Sequence, residues 1–118
     1  MSEPIQEIMN VDRILHEPSR LAILVTLDAC VSADFKYLQA VTGMSASNLS
    51  MQLAKLETHG LIAIEKRFVR KTPRTDARLT KDGKEAMRNY WRLLRNAQRD
   101  VRKWTLRRVM NDPEPALG

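Results

Sequence analysis

The chain has few of the residues that most often carry catalytic or structural chemistry. Among its 118 residues are one cysteine, two histidines, two tryptophans, two tyrosines and two phenylalanines. The single cysteine, Cys30, excludes an internal disulfide and a multi-cysteine zinc site, and it fits a reducing compartment. Neither His16 nor His59 has a second ligand at metal-binding spacing, so we expect no metal and no cofactor. With so few aromatic residues, the core must be mostly aliphatic.

Long apolar runs and catalytic motifs are also missing. No apolar run approaches the roughly 20 residues that a membrane-spanning helix needs. Residues 1–10 carry acids and lack the basic start and apolar stretch of a secretory signal. We find no glycine-rich phosphate loop, no nucleophile with a partner base and no pair of buried acids. The sequence therefore makes no case for an enzyme or a membrane protein, and we expect a cytoplasmic protein.

Acidic residues are scarce in one half of the chain. Residues 1–60 contain four basic and seven acidic side chains, whereas residues 61–110 contain sixteen basic and five acidic ones. The formal net charge of the whole chain is +6. A basic excess confined to one half predicts a polyanionic partner better than it predicts a general aid to solubility.

Hydrophobic spacing before Met44 predicts three helices. Apolar residues at intervals of three and four predict one amphipathic helix over residues 5–15. Pro18 suits the first turn of a second, nearly all-apolar helix that carries Cys30 on its buried face and is broken by residues 32–34. A short third helix runs from Phe35 to Val41, and Gly43 ends it.

The rest of the pattern predicts a fourth helix, a hairpin and a long last helix. Ser45 is a good N-cap for the fourth helix, which Gly60 closes. Residues 61–68 and 75–79 predict two strands, joined by a long basic loop over residues 69–74. Thr80 is expected to cap the last helix, which extends over residues 82–110.

The fourth helix has a polar face with little charge. Once Leu49, Leu53 and Leu56 face the core, several side chains remain on or near the open faces. Asn and Gln pair with adenine edges, and Ser bonds to bases or phosphates, so this face suits the major groove of DNA, although an ordinary solvated face is also polar. The predicted recognition residues are Ser45, Ser47, Asn48, Ser50, Met51, Gln52 and Lys55.

The hairpin loop is rich in cations, and we expect no acid near its tip. Arginine inserted into a narrow minor groove senses its negative potential, and lysine serves phosphate as a point charge. The alternative is a charged, solvated loop. We predict that the DNA-binding residues of the hairpin are Arg67, Arg70, Lys71 and Arg74.

The last helix carries an apolar seam that a small domain cannot bury alone. Met87, Tyr90, Leu94, Ala97, Val101 and Trp104 alternate spacings of three and four. A two-fold dimer is the commonest way to cover such a stripe. The predicted homodimer interface, built by the first and last helices, uses Ile5, Ile8, Tyr90, Leu94, Val101 and Trp104. Eight cations follow the outside of this helix, namely Arg88, Arg92, Arg95, Arg99, Arg102, Lys103, Arg107 and Arg108. They suit DNA flanks, an anionic lipid surface, an acidic partner or simple solvation.

Three motifs together resemble those of a known family. The string HEPSRLAILVTL from His16, the stretch from Met44 to Leu61 and the closing ARLTKDG are similar to the corresponding parts of MarR- and ArsR-type winged-helix transcriptional regulators. The resemblance covers roughly residues 11–95. It implies a homodimer with recognition helices in successive major grooves and wings over minor grooves. Gln52 stands where the family often has histidine, and Ala77 where it often has an aromatic residue. The family's metal sites are not matched.

The expected protein is mainly α with some β: a winged helix-turn-helix with a two-stranded wing and dimerisation helices at both ends. We expect a single domain over residues 1–111, composed of a dimerisation helix (1–16), a core (17–81) and a long helix (82–111), with a disordered tail (112–118). The predicted function is sequence-specific, dimeric regulation of transcription on double-stranded DNA, with or without a small-molecule effector. The alternatives are a protein–protein adaptor and a sequence-neutral chromatin or RNA binder.

Overall fold

The computed structural model describes residues 4–111, with side chains described for residues 5–103 and 105–108. These residues form five α-helices, one 3-10 turn and one antiparallel sheet. The helices are α1 (Pro4–Glu7), α2 (Pro18–Asp28), α3 (Phe35–Thr42), α4 (Ala46–Thr58) and α5 (Lys81–Asn111). The strands are β1 (Ala33–Asp34), β2 (Ile62–Val69) and β3 (Thr72–Leu79). The expected winged-helix architecture is confirmed, whereas the expected tail over residues 112–118 lies outside the described residues.

The described chain divides into two compact units. Residues 12–88 form one unit, and residues 4–11 with residues 89–111 form the other. Within the first unit, α2 contacts α3, α4 and β3, as expected of a central apolar helix. Its buried side chains Ile23, Leu24 and Leu27 meet a core supplied largely by leucines. The aliphatic core predicted from the composition is therefore present.

Local sequence signals explain most helix ends. Pro18 occupies the first turn of α2, where its missing N–H leaves no hydrogen bond unmade. Gly43 ends α3 in the left-handed conformation, with φ of 72°, which glycine adopts without steric cost. The Ser45 hydroxyl accepts a hydrogen bond from the Asn48 N–H (3.2 Å) and caps α4. The Thr80 hydroxyl accepts from the Gly83 N–H (3.0 Å) at the start of α5. These four predicted boundaries are confirmed.

The predicted single helix over residues 5–15 is wrong. Helix α1 ends at Glu7, and a 3-10 turn follows over Ile8–Asn10. Beyond it, Asp12 Oδ1 accepts from the Ile14 N–H (2.9 Å) in a local turn, a bond that competes with helix formation. The carbonyl oxygen of Ile14 accepts from Arg20 Nε (2.6 Å) instead of from a helical N–H.

The helix carrying Cys30 is shorter than expected. Helix α2 ends at Asp28, so Cys30 lies beyond it and is half-buried rather than buried on its apolar face. The expected break over residues 32–34 also has structure. Ala33 and Asp34 form strand β1, which pairs with Ala77 and Asp76 and makes the sheet three-stranded, in the order β1-β3-β2.

The predicted long loop of the hairpin is also wrong. Strands β2 and β3 pair without interruption as far as Val69 and Thr72, so the turn consists of Arg70 and Lys71 alone. Their φ values are +50° and +66°, the pattern of a type I′ turn, whose twist matches the flanking strands. Glycine and asparagine usually supply these angles. Because neither residue is present here, a tight turn is not evident from the local sequence.

Candidate nucleic-acid interface

Helix α4 presents most of the predicted recognition side chains to solvent. Asn48 is half-buried. Five other members of the predicted set are exposed, namely Ser45, Ser47, Ser50, Met51 and Lys55. The Ser45 and Ser47 hydroxyls lie 3.5 Å apart at the start of the helix. Backbone N–H groups at such a helix start favour an anion such as phosphate. Residues 45–56 contain no acidic side chain, so this surface does not repel a polyanion.

Gln52 is the exception, and its expected position on the open face is wrong. The side chain is buried, with 8% of its surface exposed. Its Oε1 accepts from Arg20 NH1 (3.2 Å), and its Nε2 donates to Asn48 Oδ1 (3.4 Å). Gln52 lies at the edge of the apolar stripe of α4, where a polar residue can turn inward only if a buried partner meets it. That partner is Arg20, which lies 32 positions away in the sequence.

The wing carries the predicted cations on an exposed hairpin. Arg67, Arg70, Lys71 and Arg74 are all exposed. The expectation that they lack nearby acids is wrong for two of them. Arg67 Nε lies 2.7 Å from Asp76 Oδ2, and Arg74 NH2 lies 3.0 Å from Asp34 Oδ2.

Strand register explains these ion pairs. Arg67 lies opposite Arg74 across β2 and β3, and Asp34 lies opposite Asp76 across β1 and β3. Like charges directly opposite each other are unfavourable in a sheet. Each arginine therefore pairs diagonally with an acid in the next row. Exposed ion pairs of this kind are worth about 0.2–1 kcal/mol, so a phosphate group competes readily for the same guanidinium.

Asp34 links the wing to the helix-turn-helix. Its Oδ1 accepts from the Tyr37 N–H (2.7 Å) and caps α3, while its Oδ2 faces Arg74. One side chain therefore fixes the start of α3 and one edge of the wing. Sequence reasoning missed this role because the acid and the arginine are 40 positions apart.

A groove of about 510 Å³ lies between α4 and the wing, so a single partner can contact both surfaces. Its polar rim includes Ser50 and Glu57 on α4, and Lys66 and Thr75 on the wing. Phe68, further out on the wing, is 75% exposed. The sequence analysis did not single it out, because alternation alone does not reveal that this end of the strand extends past the core.

The base of the wing is held by two residues of the closing ARLTKDG motif. The Thr80 hydroxyl donates to the Gly60 carbonyl (2.6 Å), and the Thr80 N–H donates to the Leu61 carbonyl (3.1 Å). Gly83 is fully packed: a Cβ built on it overlaps the Leu61 carbonyl oxygen and lies 3.3 Å from Leu79 Cδ2. The motif therefore joins the end of α4, the first strand of the wing and the start of α5.

The predicted dimer residues differ in exposure. Ile5 and Val101 are 39% and 42% exposed, and Ile8 and Leu94 are half-buried. Tyr90 is only 5% exposed, so little of it remains for a partner to contact. The Trp104 side chain lies outside the described residues. The eight cations of α5 are exposed, and their role stays open between the readings given above.

The described residues contain neither a metal-binding cluster nor a membrane-spanning helix. In that part of the chain, no group of three or more His, Cys, Asp or Glu side chains is arranged to hold a metal ion. No described helix has the length and apolarity to cross a membrane.

Comparison with known proteins identifies the family. The model of the winged helix DNA-binding domain matches residues 19–97. The chain therefore belongs to the winged helix DNA-binding domain family, which confirms the winged-helix part of the resemblance. An uncharacterized protein of Methanocaldococcus jannaschii is 28% identical over 78 residues, which cover 66% of this chain and 85% of that protein.

Solved structures show the same fold. A transcriptional regulator homologue from Pyrococcus horikoshii superposes with a TM-score of 0.69 at 29% identity, covering 87% of this chain and 98% of that one. A MarR-family regulator from Silicibacter pomeroyi has a TM-score of 0.56 at 20% identity, covering 86% and 64%. Bordetella bronchiseptica BpsR, whose DNA binding is described as regulated by 6-hydroxynicotinic acid, has a TM-score of 0.62 at 14% identity, covering 92% and 90%. The last two likenesses concern the fold alone.

Proposed function

We propose that this protein is a cytoplasmic, homodimeric, sequence-specific regulator of transcription that places α4 in the major groove of DNA and its wing in the minor groove. The observation that carries the proposal is a shared surface rich in cations, with Glu57 as an acid at the rim of the groove. Residues 45–56 of α4 and 66–74 of the wing contain no acidic side chain, and they contain six cations in total. The groove between the two elements is open to solvent, so one duplex can contact both.

The side chains of α4 and those of the wing turn offer different kinds of contact to DNA. Asn48 and the serines of α4 offer hydrogen bonds to base edges and phosphates, whereas Arg70 and Lys71 at the turn offer charge. Neither of these two cations has an ion-pair partner within the part of the chain that the structure describes. They are therefore the wing cations most available to the minor groove.

Selection of bound fragments from a random duplex pool at near-physiological salt tests the proposal. We expect enrichment of a two-fold symmetric motif whose half-sites lie about one helical turn apart. Binding without enrichment would replace the proposal with a sequence-neutral binder. No affinity even at low salt would favour a protein–protein adaptor.

Homodimerisation is part of the same proposal. The unit that contains most of α5 exposes Met9 (73%), Val101 (42%) and Leu106 (58%), and a second copy would cover such residues.

Sedimentation of the wild type and of Val101→Asp tests the dimer. We expect a dimer for the wild type and a monomer for the variant at micromolar concentration, because a buried charge at an apolar interface is costly. Val31→Asp is the matched control, since Val31 is 94% exposed in the other unit, and it should remain dimeric. A monomeric wild type would refute dimerisation.

A further inference from the structure

A chain of three polar side chains runs from α2 to the exposed surface of α4. Arg20 on α2 is buried, with 9% of its surface exposed, and Gln52 on α4 is equally buried. Arg20 NH1 donates to Gln52 Oε1 (3.2 Å), and Gln52 Nε2 donates to Asn48 Oδ1 (3.4 Å). Asn48 is half-buried and is the last of the three side chains, at the surface proposed to face DNA.

The first member of this chain is held in place from several sides. Arg20 Nε donates to the Ile14 carbonyl (2.6 Å), and NH2 donates to the Arg13 carbonyl (3.3 Å). The Glu17 carboxylate lies 3.8 Å from NH1. A buried guanidinium that gives up these partners loses hydrogen bonds that water does not replace. Arg20 is therefore a fixed donor beneath α4.

The chemistry of the donors settles the orientation of both amides. Arginine has only donors, so Gln52 must turn its oxygen toward Arg20. The amino group of Gln52 then faces Asn48, whose Oδ1 must accept the hydrogen bond. The amino group of Asn48, on the other side of the same planar amide, is left to donate to a group outside the protein. The amide orientations therefore follow from the arginine and not from an arbitrary choice between nitrogen and oxygen.

We propose that Arg20, acting through Gln52, fixes Asn48 as a hydrogen-bond donor toward DNA. Asn48 then contacts an acceptor that adenine and cytosine lack on the major-groove edge, namely guanine O6 or thymine O4. The paired contact to adenine expected from the sequence needs both ends of the amide, and here the oxygen is engaged inward. Arg20 and Gln52 are positioning residues, and Asn48 determines specificity. This inference rests on the proposed function, because it assigns a base preference to that same surface.

Gln52→Glu tests the mechanism by reversing the last link. Glutamate still accepts from Arg20, but its other carboxylate oxygen cannot donate to Asn48. Asn48 must then rotate its amide and give its amino group to the carboxylate, which turns its oxygen toward DNA. The base preferred at this position should change from guanine or thymine to adenine or cytosine, whose exocyclic amino groups are donors, with discrimination of about tenfold.

The readout is the enriched motif from selection on a random duplex pool, measured for the wild type and for each variant. Asn48→Ala locates the base pair, since preference should collapse at one position per half-site. Thr58→Ala is the matched control: Thr58 is exposed at the end of the same helix and lies outside both the polar chain and the predicted recognition set, so the preference at that position should persist.

Each of these measurements has a result that would overturn the inference or the proposed function. An unchanged preference in Gln52→Glu, with the variant still folded by circular dichroism, would overturn the inference, as would an Asn48→Ala motif identical to that of the wild type. If Gln52→Glu does not fold, Asn48→Asp takes its place. Its outward atom is then an acceptor without any change to the buried residues, and a retained preference for guanine or thymine would refute the mechanism. A wild type that enriches no motif would instead refute the proposed function.

Discussion

Replacing Gly83 with alanine separates helix propensity from packing at the base of the wing. Alanine within a helix is favoured over glycine by about 1 kcal/mol, so propensity alone predicts a more stable protein. The structure predicts the opposite, because a Cβ at this position overlaps the Leu61 carbonyl oxygen and lies 3.0 Å from the carbonyl carbon. Both atoms belong to the backbone, so no side-chain rotation relieves the overlap.

The expected result is a net loss of stability. Forcing an extra carbon into a packed site costs about 1–3 kcal/mol, or more where the neighbours cannot move. The Leu61 carbonyl also accepts from the Thr80 N–H, which opposes its displacement. After the gain in propensity, we expect Gly83→Ala to lose about 2 kcal/mol. With a urea dependence of about 2 kcal/mol per M, the midpoint should fall by about 1 M.

Urea denaturation followed by circular dichroism at a fixed protein concentration measures this loss. Gly43→Ala is the matched control, because Gly43 has nothing within 4 Å but a φ of +72°. It should lose only the cost of the left-handed backbone, about 1 kcal/mol. A midpoint for Gly83→Ala equal to or above that of the wild type would refute the packing argument.

Three further predictions concern the turn, the wing and the start of α2. Replacing Arg70 and Lys71 with Asn-Gly should stabilise the hairpin by about 1 kcal/mol, because it removes two left-handed residues that carry large side chains. Since each of the two wings of the proposed dimer loses two cations, the slope of log affinity against log salt should become less steep by about 4. An unchanged slope would show that neither cation contacts DNA. Asp34→Asn keeps an oxygen to cap α3 but frees Arg74, so fluorescence anisotropy should show duplex affinity rising a few-fold; weaker binding would mean that Asp34 aims Arg74 productively. The pKa of Glu17 lies below its usual 4.5: burial raises it, but hydrogen bonds from the Arg20 and Ser19 N–H groups and the charge of Arg20 lower it by more. The difference in unfolding free energy between the wild type and Glu17→Gln should therefore be full above about pH 4.5 and shrink as the pH falls through the lowered pKa. A difference that does not depend on pH would contradict this.

Positions set by neighbours in the sequence could be predicted. The ends of α2, α3, α4 and α5 follow from Pro18, Gly43, Ser45 and Thr80, because capping and φ preferences act within a few residues. Leu49, Leu53 and Leu56 are buried as their spacing predicts. The basic wing and the acid-poor face of α4 were also evident, since both depend only on composition within a short segment.

Positions decided by distant partners could not be predicted. Gln52 has the same helical position whether it faces solvent or Arg20, and only the packing of α2 against α4 brings Arg20 beneath it. Arg67 and Arg74 appeared free of acids because strand register, which no short segment specifies, determines their diagonal pairing with Asp76 and Asp34. The two-residue turn was missed because its angles come from pairing along the whole hairpin and not from Arg70 and Lys71 themselves.

The sequence by itself determined the order of α2 to α5 and the two wing strands, the aliphatic core and the location of positive charge, because hydrophobic period, capping and composition are local properties. Only the tertiary structure decided which polar groups of the candidate interface face outward. A buried donor such as Arg20 must find its acceptor wherever the fold brings one. That requirement turns Gln52 inward and directs the amide of Asn48, and it acts across 32 positions of the chain.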